Sequence, residues 1–177
     1  MTDRGTGPAG RGCVVPDVGI ELVRLSCPEG ANVILGQAHF IKTAEDIFEA
    51  VASSAPGAKF GLAFAEASGP CLVRSEGTDP ELKAVAEQNI LRLGCGHVFL
   101  VVLGDAWPIQ VLPAVRAVPE VCSIFCATSN PVGVVVARTP EGGGVLGVLD
   151  GSAPTAVESD EDVSSRRELL RRFGYKR

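Results

Sequence analysis

The sequence predicts a single α/β domain of the α+β type: one central mixed β-sheet flanked by helices, over residues 18–177, behind a flexible N-terminal extension, 1–17. Three observations lead there. Short runs rich in Val, Ile, Leu and Phe recur along the whole chain, helical periodicities stand between some of them, and no regular alternation of strand and helix appears. The 177-residue length suits one domain that buries roughly 70% of its unfolded surface.

The elements follow in order. Residues 1–17 are dominated by Gly, Pro and polar side chains and carry no periodic apolar pattern. Residues 18–25 and 33–35 read as strands around Cys27-Pro28-Glu29-Gly30, an opening hairpin with a long loop. Thr43 is expected to cap the first helix, with Asp46 in capping-box position and Ala44, Ile47, Phe48 and Val51 on one stripe, and Pro56-Gly57 ends it. The apolar run from Phe60 stops at Glu66, turns through Gly69-Pro70, and returns by Cys71-Leu72-Val73 to Arg74-Ser75-Glu76-Gly77. A second helix follows Thr78-Asp79-Pro80, with Leu82, Val85, Ala86, Asn89, Ile90 and Leu93 at helical spacing and Gly94 and Gly96 at its end.

Residues 97–103 are too continuously apolar to have a solvated face and read as a central strand. Residues 107–115 suit a short helix that Pro113 breaks, because proline removes a backbone donor. Residues 121–127, 132–137 and 145–149 are three more strands, separated by Ser129-Asn130-Pro131 and by the Gly-rich stretch 139–144. A last, highly charged helix starts at Ser159.

Composition limits the function classes. Apolar residues are 46% of the chain against 21% charged, and the mean hydropathy is +0.25, which implies that another subunit covers part of the apolar surface, hence a homo-oligomer. A net charge of −5 lacks the basic footprint of a nucleic-acid binder. No apolar run approaches the roughly 18 residues of a membrane span, and the N-terminus lacks the apolar core of a secretory signal, so a cytoplasmic location is expected. Six cysteines without a CxxC pair read as reduced, mostly buried thiols.

Several motifs have a plain structural explanation. Gly142-Gly143-Gly144-Val145-Leu146-Gly147 satisfies GxGxxG formally, but β-branched residues follow it and a hairpin turn is the better reading. No GxxxxGK[ST] exists, which excludes a P-loop kinase. Cys122 and Cys126 on one strand face, or Cys95 with His97, fall short of a tetrahedral zinc set. His97, at the start of a buried strand, fits a hydrogen-bonded structural histidine, and Asn130 and Asp150 fit Asx-type turns. Lys42 precedes a helix N-terminus, where free backbone donors favour anions. The one constellation with the makeup of a polar ligand site is Glu66, Ser68, Arg74, Ser75 and Glu76 around one turn.

Long ordered motifs carry a resemblance. Gly36-Gln37-Ala38-His39-Phe40-Ile41-Lys42-Thr43, Lys59-Phe60-Gly61-Leu62-Ala63-Phe64 with Glu66-Ala67-Ser68-Gly69-Pro70, and Leu72-Val73-Arg74-Ser75-Glu76-Gly77 resemble the adenosine-specific kinase family. Ala127-Thr128-Ser129-Asn130-Pro131, Gly144-Val145-Leu146-Gly147-Val148-Leu149-Asp150-Gly151 and the closing Leu169-Leu170-Arg171-Arg172-Phe173-Gly174-Tyr175 extend the likeness from about residue 18 to the end. The resemblance implies binding of adenosine or AMP and phosphoryl transfer from ATP, with Mg2+ implied by ATP use. Phosphoryl transfer is mostly positioning and charge neutralisation. In that frame Glu66 or Asp150 would orient or deprotonate the ribose hydroxyl while the other helps to hold magnesium. Arg74, with Lys42, would neutralise phosphate; Ser68, Ser75 and Glu76 would contact ribose or phosphate, and Asn130 or His97 the base or phosphate. A non-catalytic adenosine or AMP module and a nucleotide hydrolase are the alternatives that the same residues allow.

Overall fold

Side-chain alternation along one strand sets the architecture. The computed structural model describes residues 18–175; the expected extension, 1–17, lies outside them. In β5 (Val98–Leu103) every residue is buried, Val98, Leu100 and Val102 in one apolar cluster and Phe99, Val101 and Leu103 in another. A period of two that is apolar in both phases forces cover on both faces.

The larger sheet holds β5 at its centre, in the order β4 (Val73–Gly77), β3 (Phe60–Ala65), β5, β2 (Asn32–Ala38), β6 (Val121–Thr128). One face packs on α1 (Thr43–Ser54) and α3 (Pro108–Ala117) through Ile34, Ile47, Leu62, Phe64, Val111 and Val115. The other face packs on α2 (Pro80–Leu93) and a three-stranded sheet, ordered β1 (Gly19–Arg24), β7 (Val132–Thr139), β8 (Gly142–Asp150). A fourth helix, α4 (Asp160–Arg172), follows after residues 151–159 and contributes no buried residue.

The α+β class and single domain agree with the expectation, but the strands divide into two sheets in which every pair of named strands is antiparallel, instead of one mixed sheet. The opening hairpin is replaced by a crossing between sheets: β1 pairs with β7, Ile20 opposite Ala137, while β2 pairs with β5 and β6. Burial explains the split. In β1 only Val23 is buried, which suits an edge strand with one wet face, whereas β2 is buried at six of seven positions and needs a neighbour on each side.

Local chemistry places the helices. Asp79 caps α2, its carboxylate accepting from the Glu81 and Leu82 amides at 3.0 and 3.1 Å, with Pro80 at the first position. Gly94 closes the helix with φ 55°. The first turn of α2 lies directly on β3 at Gly61, where a Cβ would come within 2.1 Å of the Lys83 backbone nitrogen. In α1 the expected Thr43 cap shifts by one: Lys42 holds the cap position without a side-chain cap bond, Thr43 Oγ1 donates to the Phe40 carbonyl at 2.5 Å, and Asp46 pairs with Lys42. Pro113 does not break α3, since it and Ile109, whose carbonyl it leaves without an intrahelical donor, both lie on the exposed side. The glycine run is the start of β8 in a hairpin with β7, as the hairpin reading expects. Register shifts in β6 break its alternation, so Cys126 is buried while Cys122 is exposed.

Candidate functional site

The end of β3 is where polar groups collect. Past Ala65 the chain makes a tight excursion: the Glu66 amide donates to the Leu72 carbonyl at 3.0 Å and the Cys71 amide to the Ser68 carbonyl at 3.2 Å, closing the turn around Gly69-Pro70. The turn aligns β4 so that Arg74 stands opposite Phe64. Arg74 Nη2 then donates to Glu66 Oε2 at 3.0 Å, and the Leu72 amide donates to the same oxygen at 3.3 Å. The Glu66 side chain is 14% exposed, while Arg74 Nε is buried and has no hydrogen-bond partner among the described residues. A carboxylate fixed by a guanidinium and an amide is pre-oriented, and an unspent guanidinium donor is an invitation to a polar ligand.

His97 shares this end. Its amide donates to the Ala65 carbonyl at 2.7 Å, its carbonyl accepts from the Ala38 amide at 2.9 Å, and its backbone has φ 62°. Its ring stacks on Phe64 with centroids 5.8 Å apart at 12°. His97 thus joins the ends of β3 and β2 through its backbone and rests its ring on Phe64, without a ring hydrogen bond among the described residues.

Beyond Ala38 the His39 amide donates to the Glu120 carbonyl at 3.1 Å. Lys42 Nζ pairs with Glu120 at 3.2 Å and with Asp46, and those hydrogen bonds, Asp46 first, raise its pKa above the usual lysine value. Glu120 is buried and its Oε2 has no partner among the described residues. The sequence reading gave Glu120 no role in the site, although Pro119-Glu120-Val121-Cys122 is one of the stretches that carry the family resemblance.

Other expected residues are placed elsewhere. Ser75 lies one step past Arg74, opposite Ala63, and so points to the α2 face, where Ser75 Oγ donates to Glu87 Oε1 at 2.6 Å. Glu76 is exposed opposite Leu62, and Ser68 is at the exposed turn. Asn130 and Asp150 do meet each other: Asp150 Oδ1 accepts from Thr128 Oγ1 at 2.8 Å and from Asn130 Nδ2 at 3.0 Å. They lie at the opposite end of the large sheet. Thr128 stands across from Val33, whereas His97 and the end of β3 border Ala38, five strand residues or about 17 Å away. Within one chain Glu66 and Asp150 are therefore not joint neighbours of one small substrate.

A cleft of ≈690 Å³ opens beside Glu66. Its walls are the end of β3 and start of β4 (Ala65, Glu66, Val73), the end of α2 (Ile90) and the β7–β8 hairpin, which Gly143 brings against Cys95 in a short parallel bridge. Thr139 and Glu141 also face it, and the Thr139 hydroxyl holds the Glu141 carboxyl below the usual range. A smaller cleft of ≈300 Å³ lies beside Asn130, with Cys27 and Val33 in its lining. Burial raises the Cys27 and Cys95 thiols and pushes Cys126 up to about 11, so these thiols behave as core side chains. Among the described residues no group of three or more His, Cys, Asp and Glu is arranged to hold a metal ion, and no helix is long and apolar enough to cross a membrane.

The two-sheet α+β domain thus carries a guanidinium-held carboxylate beside a cleft of small-molecule size. The model of the adenosine specific kinase family matches residues 23–176, and the chain belongs to that family. Among solved structures, the PH1918 protein from Pyrococcus horikoshii OT3 is similar at 43% identity and a TM-score of 0.87, over 91% of this chain and 99% of that one. No curated protein matches.

Proposed function

We propose that the protein binds adenosine in the cleft beside Glu66 and transfers a phosphoryl group to it from ATP, giving AMP. The observation that carries this reading is Glu66, held by Arg74 at 3.0 Å and lining a ≈690 Å³ cleft, in a chain of the adenosine specific kinase family. The volume lies within the roughly 300–1,000 Å³ of small-molecule sites. The apolar walls offer a surface for a purine, and Glu66 is the acceptor suited to a ribose hydroxyl.

In the proposed reaction the ribose hydroxyl oxygen bonds to the γ-phosphorus of ATP, the bond to the bridging oxygen breaks, ADP leaves, and Glu66 takes the hydroxyl proton. Arg74, outside the cleft lining, holds Glu66 and neutralises phosphate charge from behind it; Lys42 is already committed to two carboxylates and acts at longer range. Ser68, at the exposed turn beside Glu66, borders the incoming ribose or phosphate, whereas Glu76 projects from the face of β4 away from the cleft. Ser75 braces β4 on α2. The donor set around Glu66 does not form a magnesium cage, so any Mg2+ enters on the ATP phosphates, and no step is assigned to it. Asp150 and Asn130 fall outside this arrangement in one chain. The unpaired thiols of Cys27, Cys71, Cys95, Cys122 and Cys126 suit the reducing cytoplasm.

A binding-only module is favoured by one observation, the engagement of the Glu66 carboxylate by Arg74. Incubation with adenosine, ATP and magnesium, following AMP, ADP and free phosphate separately, distinguishes the readings. Equal AMP and ADP support the kinase, ADP with free phosphate points to hydrolysis, and saturable adenosine binding without turnover leaves the module. Glu66→Gln and Arg74→Ala are each expected to lower AMP formation by about a hundredfold or more while the circular dichroism stays unchanged. Wild-type turnover in either variant removes that residue from the mechanism.

A further inference from the structure

Every nitrogen of the Arg138 guanidinium donates to a neighbour within the chain. Arg138 lies on β7 in phase with the buried Val134 and Val136, so its side chain leaves the inner face of the small sheet toward α2. Nε donates to Glu21 Oε2 on β1 at 2.8 Å, Nη1 to the Leu93 carbonyl, and Nη2 to the Arg92 carbonyl at 3.1 Å, with the Gly94 carbonyl oxygen 3.5 Å from Nη1. The last turn of a helix leaves such carbonyls without an intrahelical donor, and a cation there meets the negative end of the helix dipole. Arg138 is thus a cap for α2 supplied from another element.

Glycines make room for it. Gly19 stands opposite Arg138 on β1 and Gly143 opposite it on β8. A Cβ at Gly143 would come within 2.7 Å of Arg138 Nη1, 2.9 Å of the Gly94 carbonyl oxygen and 3.0 Å of Cys95 Sγ, and one at Gly94 within 2.9 Å of the same Nη1. The glycine run that formally matches a nucleotide motif has its explanation here: Gly143 lets the hairpin close on the guanidinium and form its bridge to Cys95.

The two elements that meet at Arg138 are both walls of the cleft beside Glu66: the end of α2 with Ile90, Gly94 and Cys95, and the hairpin with Thr139, Glu141 and Gly143. Arg138 itself lies behind that lining. On the reading of this cleft as the adenosine site, we propose that Arg138 is its positioning residue. The guanidinium clamps the β7–β8 hairpin to the end of α2 and so fixes the Thr139 hydroxyl and the Glu141 carboxylate relative to Glu66. Glu66 and Glu141 are the charged side chains of the lining, yet Glu66 follows a strand of the larger sheet and Glu141 sits at the tip of a hairpin of the smaller one. Their relative placement therefore depends on what joins the two sheets at this end, which is the Cys95–Gly143 bridge and the Arg138 clamp. Thr139 and Glu141 are one and three residues beyond Arg138, close enough for the anchor to govern the tip. A planar guanidinium shared among several carbonyls and a carboxylate holds one geometry, whereas a lysine has a single nitrogen to divide among them.

The test pairs calorimetric adenosine binding with amide hydrogen exchange on the full chain. Arg138→Met is expected to weaken adenosine binding about tenfold or more, because a displaced wall misplaces every group on it. It should also quicken exchange in 92–96 and 139–144 about tenfold, while exchange in β5 stays as in wild type. Arg138→Lys, which keeps the charge on one nitrogen, should restore part of both. Gly143→Ala leaves Arg138 in place but pushes the hairpin off the helix, so it should behave as Arg138→Met does; Gly147→Ala, whose methyl meets nothing within 4 Å, should match wild type. Wild-type affinity in Arg138→Met overturns the proposal. So does exchange that quickens equally in β5, which marks a general loss of stability rather than a local clamp. A wild type that binds no adenosine refutes the proposed function instead; in that case unchanged exchange in 92–96 and 139–144 of Arg138→Met overturns the clamp, and local quickening upholds it.

Discussion

Replacing Gly61 with alanine tests the contact that sets α2 on the sheet. The added Cβ would lie 2.1 Å from Lys83 N, 2.3 Å from Leu82 C and 2.4 Å from Lys83 Cα, all backbone atoms of the first turn of α2. Ordinary contact needs about 3.4 Å, so the helix or the strand must move by about 1.3 Å. No rotamer change relieves a clash with backbone, and both sides of it are anchored: Asp79 caps the helix, and β3 is paired on both edges. Overpacking of this kind costs roughly 1–3 kcal/mol, and the absence of a flexible neighbour selects the upper end, about 3 kcal/mol. For a domain of this size that lowers Tm by about 6–12 °C. With a urea m value of about 2 kcal/mol/M the midpoint falls by about 1.5 M. Urea unfolding followed by circular dichroism measures it, with Gly147→Ala as the control, because nothing lies within 4 Å of the new methyl there. Because α2 also carries Glu87 to Ser75 and Ile90 to the cleft wall, adenosine affinity should fall with it. A Gly61→Ala midpoint within about 0.3 M of wild type would refute the packing argument.

Two further expectations concern titrating groups. With Cys126 pushed up to about 11, only about one molecule in a thousand carries its thiolate at pH 8, and burial shields it further. Alkylation followed by mass spectrometry should therefore label exposed Cys71 and Cys122 at least about a hundredfold faster than Cys126; equal rates would mean that β6 does not hold its bulged register. The Ser159 hydroxyl and amide hold the Asp162 carboxyl below its ordinary 3.8. A lowered folded pKa contributes stability above the unfolded value and loses it as pH falls through the folded one. Amide exchange in the first turn of α4 should thus be unaffected between pH 7 and 5, once corrected for intrinsic rates, and lose protection below about pH 4; protection that persists at pH 2 would show that Asp162 does not sustain the cap.

What the chain made legible is what local chemistry decides. Asp79-Pro80 and Gly94 bracket α2 because a carboxylate cap, a missing N–H and a left-handed residue each act within one turn. The Glu66–Arg74 meeting is readable for the same reason: a tight turn between two short apolar runs leaves little freedom over eight residues. Strand partners are a different matter. Residues 18–25 announce a strand but not that its neighbour is β7, more than a hundred positions later, so proximity in sequence suggested a hairpin where the chain crosses between sheets. Ser75 was separable from Arg74 by strand alternation alone, since adjacent residues of β4 face α2 and α1 in turn.

The grouping of polar residues depends on strand order, which no local pattern encodes. In the antiparallel succession β3, β5, β2, β6 the chain direction reverses at each step, so the end of β3, the start of β5, the end of β2 and the start of β6 share one edge. Glu66, His97, Lys42 and Glu120 follow from those four positions and surround the same edge, although 78 positions separate Lys42 from Glu120. Asn130 follows the other end of β6, and Asp150 closes β8 beside it, so their convergence with each other and their distance from Glu66 have one cause. Glu120 comes from that same rule: it precedes β6 as Lys42 follows β2, and adjacent antiparallel strands deliver a buried acid and an exposed base to one corner. The edge, rather than any single motif, is the unit on which the proposed chemistry rests.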